Sequence, residues 1–190
     1  MARMPAAERR RQLLDEAVHV FSEVGYHGAS MNDIALAAGV TKPVIYQHFE
    51  SKLELYLELL DDIARRLSST ISEAVGSARS GRDQIREGLL AYFSFVQEHR
   101  NEFRVLFGSR AQATGEFGSA LRDAERSITE SVGDLAEASE AGPLPRRTAT
   151  AIVSMAEGAC RHWLAHEPEV SAETLADDLA DLLWNGISRS

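Results

Sequence analysis

Helix-stop and helix-start signals crowd between Gly25 and Ser51, and they dictate short helices there. Upstream, Leu13, Leu14, Ala17, Val18, Phe21 and Val24 keep helical spacing. Gly25 ends that first helix, because glycine enters the left-handed terminal conformation without steric cost. Ser30 caps a short second helix, with Asp33 three residues on as an imperfect capping box, and Met31, Ile34 and Ala35 form its buried side. Gly39 allows a tight turn. Thr41 caps a third helix, with Lys42 and Pro43 in first-turn positions where proline loses no hydrogen bond. Ser51 caps a fourth helix, and Glu54 stands where a capping box needs it. Two short helices joined by a tight glycine turn make a helix-turn-helix.

The remainder also reads as helix, without the alternating β-branched runs of strands. Leu53, Tyr56, Leu60, Ile63, Leu67 and Ile71 stripe a long fourth helix that breaks at 76–81. Ile85, Leu89, Phe93 and Val96 mark a fifth, 101–107 a short sixth and 116–140 a seventh. Gly142-Pro143-Leu144-Pro145 is the clearest linker. Residues 146–166 form an eighth helix ended by Pro168, and Ser171 caps a ninth bearing Leu175, Leu179, Leu182, Leu183 and Ile187. The fold class expected is all-α with about nine helices. A three-helix module occupies 1–51 and a larger helical domain 52–190.

Among the 190 residues, 44% are hydrophobic and 26% charged, an ordinary balance for a packed core. The lone Cys160 excludes an internal disulfide and fits a reducing compartment. Asp15 and Glu16 interrupt the N-terminal stretch before a signal-peptide core forms. No apolar run approaches the roughly 18 residues of a membrane span. A cytoplasmic protein without a membrane partner is the expectation.

A net charge of -9 argues against nucleic acid, but its distribution does not. Residues 1–52 hold six basic and six acidic groups. Of the 20 and 29 in the chain, 14 basic and 23 acidic groups follow, so the whole excess lies in the second part. Both lysines of the chain, Lys42 and Lys52, fall in or beside the third helix.

That helix has two faces. Val40, Ile45 and Phe49 point inward by their spacing, which leaves Lys42, Pro43, Val44, Tyr46, Gln47 and His48 outward or at the edge. Lys and Gln reach base edges in a major groove, Tyr and His donate to phosphates, and Pro43 and Val44 suit a thymine methyl. Free amides at Ser30 and Ser51 suit phosphate, with Lys52 beside the second. The run Arg9-Arg10-Arg11 is either a solvated helix start or a contact to a flanking phosphate.

GYHGASMNDIALAAGVTKPVIYQHFESKLELY, Gly25 to Tyr56, resembles the TetR family of bacterial transcriptional regulators. Gly-Tyr, Asp-Ile-Ala, Ala-Gly-Val, Tyr-x-His-Phe and Ser-Lys fall in order. The resemblance implies an all-α homodimer that reads double-stranded DNA with a palindromic operator and answers to a small-molecule inducer. By position it implies base contacts from Thr41, Lys42, Pro43, Val44 and Gln47, and phosphate contacts from Tyr46, His48 and Lys52. Ser30, Met31 and Asn32 would lie at the start of the second helix. Asn32 stands where the family often carries a cation, which puts one phosphate contact in doubt.

In the second part, aromatics at helical spacing are core by default. The resemblance implies an effector pocket between the fourth and eighth helices, with candidates Tyr92, Phe95, Phe103, Arg104, Phe107, Gln112, Phe117, Met155, His162 and Trp163. A mostly apolar pocket of that kind suits a hydrophobic or amphipathic molecule. Small residues of the eighth helix and the leucine face of the ninth suit a dimer bundle: Ala149, Ile152, Ala156 and Ala159, with Leu175, Leu179, Leu182 and Leu183. The alternative is that they complete the monomer core. His162 and His166 have the i, i+4 spacing of metal ligands, but Cys160 is off that face and two ligands make no site. Metal and cofactor are therefore not expected. Phosphate-binding glycine loops, a Gly-x-Ser-x-Gly elbow and His-Glu-x-x-His are absent, so an enzyme is not expected. The nearer rival is an architectural DNA binder that needs neither pocket nor operator. The chain reads as a ligand-responsive transcriptional repressor.

Overall fold

The computed structural model describes residues 4–107, 117–119, 121–123, 126, 129, 130 and 146–187. Among them all regular structure is helical: α1 (Ala6–Gly28), α2 (Met31–Ala37), α3 (Lys42–Tyr46), α4 (Lys52–Ser77), α5 (Gly81–Glu98) and α6 (Arg100–Phe107). Helix α7 has its described helical residues at 117–119, 121–123, 126, 129 and 130. Helices α8 (Arg146–His166) and α9 (Ala172–Ile187) complete the order. The linker expected at Gly142–Pro145, much of the expected 116–140 helix and Gln112 lie outside the described residues.

The chain forms two compact units, Met1–Ile63 with Arg100–Ala124, and Ala64–His99 with Glu125–Ser190. The 1–51 module lies within the first unit, which extends further because the first half of α4 is part of its core. Leu55 and Tyr56 are fully buried there, and the Tyr56 hydroxyl donates to the Val105 carbonyl of α6 at 2.9 Å.

In the first unit α1 packs on α2 and α6, and α2 on α3. Leu13, Ala17, Ile34, Ile45 and Phe49 are at most 1% exposed and hold the two short helices α2 and α3 to α1. Gly25 leaves the helix as expected, at φ 71° and ψ 170°, but the chain turns once more before α1 ends at Gly28. The Ala29 amide returns to the Gly25 carbonyl at 3.1 Å. Gly39, at φ 65°, makes the turn between α2 and α3.

In the second unit α5 packs on α9 and α8. Phe93, Val96, Cys160, Trp163, Ala176 and Ala180 are at most 1% exposed. The Trp163 indole meets Phe93 edge-on and donates to the Val170 carbonyl at 2.8 Å, so its one polar atom is satisfied. A Cβ on Gly88 of α5 would stand 3.1 Å from a methyl of Val75 on α4, which explains a glycine inside that helix. Tyr92 and Phe95, off the α5 stripe read from spacing, are nonetheless buried.

Candidate nucleic-acid interface

The candidate site is built on two helix starts. At α2 the capping box is complete. The Ser30 hydroxyl accepts from the Asp33 amide at 3.2 Å, and the Asp33 carboxylate accepts from the Ser30 amide at 2.9 Å and hydroxyl at 2.7 Å. Those bonds from Ser30 hold the Asp33 pKa below its ordinary value. Ser30 and Asn32 are exposed. Met31 is not: at 6% exposure its side chain belongs to the core, so the side-chain contact expected of it is not available.

At α3 the inward set is Ile45 and Phe49, with Val40 only half-buried. Thr41 has the extended N-cap backbone, yet its hydroxyl makes no capping bond. Thr41, Lys42, Pro43 and Gln47 are exposed, Tyr46 is 45% exposed, and Val44 and His48 are half-buried. The Lys42 ammonium lies 5.9 Å from the Tyr46 ring centre. Lys42, Pro43 and Tyr46 of the five-residue helix, with Thr41 before it and Gln47 after it, make one exposed set.

Lys52 departs from expectation. Its ammonium donates to the carbonyls of Tyr26 at 2.6 Å and Ala29 at 2.7 Å and lies 4.4 Å from the Tyr26 ring centre. Those two bonds take two of its three donors, and burial lowers its pKa. Lys52 thus closes the α1–α2 junction. Ser51 caps α4 through the Glu54 amide at 3.1 Å, while the Glu54 carboxylate turns to the Glu50 amide rather than that of Ser51.

The Arg9–Arg11 run also resolves. Arg10 pairs bidentately with Glu58 of α4, Arg11 pairs with Asp62 at 2.9 Å and Asp15 at 3.0 Å, and Arg9 donates to Gln12 at 2.6 Å. Two of the three guanidiniums therefore join α1 to α4. Nothing local in the sequence pairs residues about fifty positions apart.

The residues expected to line an effector pocket divide between the units. Phe103, Phe107 and Phe117 are buried in the first. Phe117 stacks on Tyr26 at 4.3 Å and approaches Tyr56 at 5.0 Å, within an aromatic cluster that includes Phe21 and that spacing did not reveal. Arg104 is exposed. In the second unit Tyr92, Phe95 and Trp163 are buried, Met155 half-buried and His162 exposed. The Tyr92 hydroxyl has no nitrogen or oxygen partner; it lies beside the Cys160 sulfur and the buried Glu157, itself paired with Arg161. Burial raises the Tyr92 pKa well above its ordinary value and pushes the Cys160 thiol up to about 12. His162 and His166 face each other at 4.9 Å, and no group of three or more metal-ligating side chains occurs among the described residues.

Of the dimer candidates, Ala149, Ala156 and Leu179 are buried within the chain itself. Ile152, Ala159, Leu175 and Leu183 are half-buried, and Leu182 is 64% exposed. No helix among the described residues is long and apolar enough to cross a membrane.

Residues 13–59, which include all of α2 and α3, match the family model described as bacterial regulatory proteins, tetR family. Residues 82–186 match a tetracyclin repressor-like C-terminal domain. The chain belongs to the TetR family. It is 32% identical over 188 residues to the HTH-type transcriptional activator FasR of Mycolicibacterium smegmatis, covering 98% of this chain and 86% of that one. It is 29% identical over 106 residues to the HTH-type transcriptional repressor KstR2 of the same species, covering 56% and 51%. A TetR-like regulator from Rhodococcus sp. RHA1 superposes with a TM-score of 0.79 at 29% identity, covering 99% and 100%. FadR of Bacillus subtilis, solved with stearoyl-CoA, has the same fold, with a TM-score of 0.78 at 19% identity, covering 91% and 96%. As a TetR-family member, the chain is a helix-turn-helix DNA-binding transcriptional regulator.

Proposed function

We propose that this TetR-family chain is a repressor that reads a palindromic operator as a homodimer and leaves it when a hydrophobic or amphipathic small molecule binds. The observation that carries the reading is α3. Its core side chains are fully buried while Thr41, Lys42, Pro43 and Gln47 stand exposed beside Tyr46. Lys42 and Gln47 are assigned to base edges, Pro43 and Val44 to apolar base contact, and Tyr46, Asn32 and the Ser30 end of α2 to phosphates. Lys52 acts through the α1–α2 junction it closes. Two recognition helices roughly 34 Å apart would enter successive major grooves, and the protein would act in the cytoplasm.

Exposed Leu182, with half-buried Leu183 and Ile152, supports a partner protomer on α8 and α9. For the effector, the second unit combines apolar Phe95, Met155 and Trp163 with the buried hydroxyl of Tyr92. That mixture suits a long apolar molecule with a polar end, and the stearoyl-CoA complex of the FadR fold relative supports an acyl thioester as the first compound to test. Such a ligand releases DNA only by the difference between its affinities for the two states.

The test is a binding titration on the duplex upstream of the protein's own gene beside a scrambled duplex, at two salt concentrations, with and without stearoyl-CoA. Selective dimer binding that the acyl thioester weakens supports the proposal. Equal binding to both duplexes overturns operator recognition there. Transcription that rises with bound protein would favour activation, the reading suggested by the name of the FasR relative.

A further inference from the structure

Helix α3 has five residues, too short to hold its own orientation. What fixes its far end therefore fixes what it reads. Beyond α3, the His48 carbonyl accepts from Nη1 of Arg10, a residue of α1. Nε of the same guanidinium donates to Glu58 Oε1 at 2.8 Å, and Nη2 donates to the other oxygen of that α4 carboxylate. The guanidinium carbon lies 4.1 Å from the centre of the Phe49 ring, in the turn after α3. A bidentate pair sets the plane of a guanidinium as well as its position. Here that guanidinium lies over the ring of the residue next to the carbonyl it holds. Glu54 stands 3.7 Å from the same guanidinium, so two carboxylates surround one cation and leave a local charge that repels phosphate.

We propose that Arg10, held by Glu58, is a positioning residue for DNA recognition, which clamps the end of α3 to α1 and α4 and does not itself touch DNA. The proposal rests on α3 as the reading element. It gives the arginine run a role that neither solvation nor a flanking phosphate contact supplies. It also makes an acidic residue necessary for binding a polyanion.

The full chain is compared with Arg10→Lys, Arg10→Gln and Glu58→Gln on a duplex selected by the wild-type protein from a random pool, over a salt series. Amide exchange across 46–49 is measured on the free proteins, and thermal melting reports folding. Glu58→Gln, nearly isosteric, keeps the test decisive if an Arg10 variant fails to fold. If Arg10 positions α3, Arg10→Lys and Glu58→Gln each weaken selective binding by about tenfold, the scale of one charge-assisted bond. The salt slope then stays at the wild-type value and exchange at 46–49 rises in the absence of DNA. If Arg10 is a phosphate ligand, Arg10→Lys keeps wild-type affinity, Glu58→Gln tightens binding, and Arg10→Gln lowers the salt slope by about one per protomer. Any of those three results, or unchanged exchange at 46–49, overturns the proposal.

Discussion

Both compact units pair charged side chains between helices, Arg11 with Asp62 in the first and Arg82 with Asp181 in the second, but the first also sets charged groups on backbone. In the first unit charged groups hold backbone: Arg10 takes the His48 carbonyl, Lys52 those of Tyr26 and Ala29, and Asp33 the Ser30 amide. In the second unit, pairs such as Arg82 with Asp181 and Arg86 with Asp177 join α5 to α9 at the exposed surface. Exposed pairs of that kind contribute about 0–1 kcal/mol each. Packing around Phe93, Cys160 and Trp163 must then supply the stability of the second unit. A helix-turn-helix made of helices five and seven residues long needs polar clamps at its ends. Helices of 16 to 21 residues, such as α5, α8 and α9, orient one another through long apolar faces.

That contrast predicts an inert thiol in the second unit. Cys160 is fully buried with a pKa pushed up to about 12. Its alkylation at pH 8 should run at least on the order of a thousandfold slower than that of an exposed cysteine. Labelling at the ordinary rate in native buffer would show that the interior of this unit opens readily. Large-to-small core changes come next. Trp163→Ala and Phe49→Ala should each cost about 3–5 kcal/mol in denaturant melts, and Phe49→Ala should also abolish DNA binding by releasing α3. A Phe49→Ala protein that binds the operator normally would break the link between the small core and the reading face.

Smaller effects sharpen the picture of the helix-turn-helix. Lys42→Ala and Gln47→Ala should change preference at particular base positions by about 1–3 kcal/mol, measured by selection from a random duplex pool. A uniform loss across sequences from Lys42→Ala would remove it from base reading. Ser30→Ala should cost about 1 kcal/mol of stability through the lost cap. Because the folded Asp33 pKa lies below its unfolded value, its contribution is complete above that unfolded value and fades as pH falls through the folded one. Asp33→Asn should flatten the acid limb of the stability profile in that interval, and an unchanged limb would show that the capping box does not persist in solution.

Much of the architecture was legible from local chemistry. Ser30, Gly39, Pro43, Ser51 and Ser171 act through bonds or torsions within a few residues of themselves, so the helix limits around them follow from reading along the chain, while Gly25 marks a kink three residues before α1 ends. Ile34, Ile45 and Phe49 were legible as core because burial follows helical period, and the exposed set from Thr41 to Gln47 was what remained outside. The ordered motif Gly25–Tyr56 carries the family resemblance without any tertiary contact.

The tertiary structure decided which polar groups were already occupied. Lys52 beside a recognition helix looked like a phosphate ligand, yet its carbonyl partners lie 23 and 26 residues away. Arg10 meets Glu58 across 48 residues, and Phe117, which the resemblance implies as a pocket wall, stacks on Tyr26. By itself the sequence determined helices, caps, the split of charge and the family, because each depends on neighbours in the chain or on an ordered motif. Which cations remain available to DNA depends on contacts between distant residues, and only the folded arrangement of α1, α3 and α4 settles those.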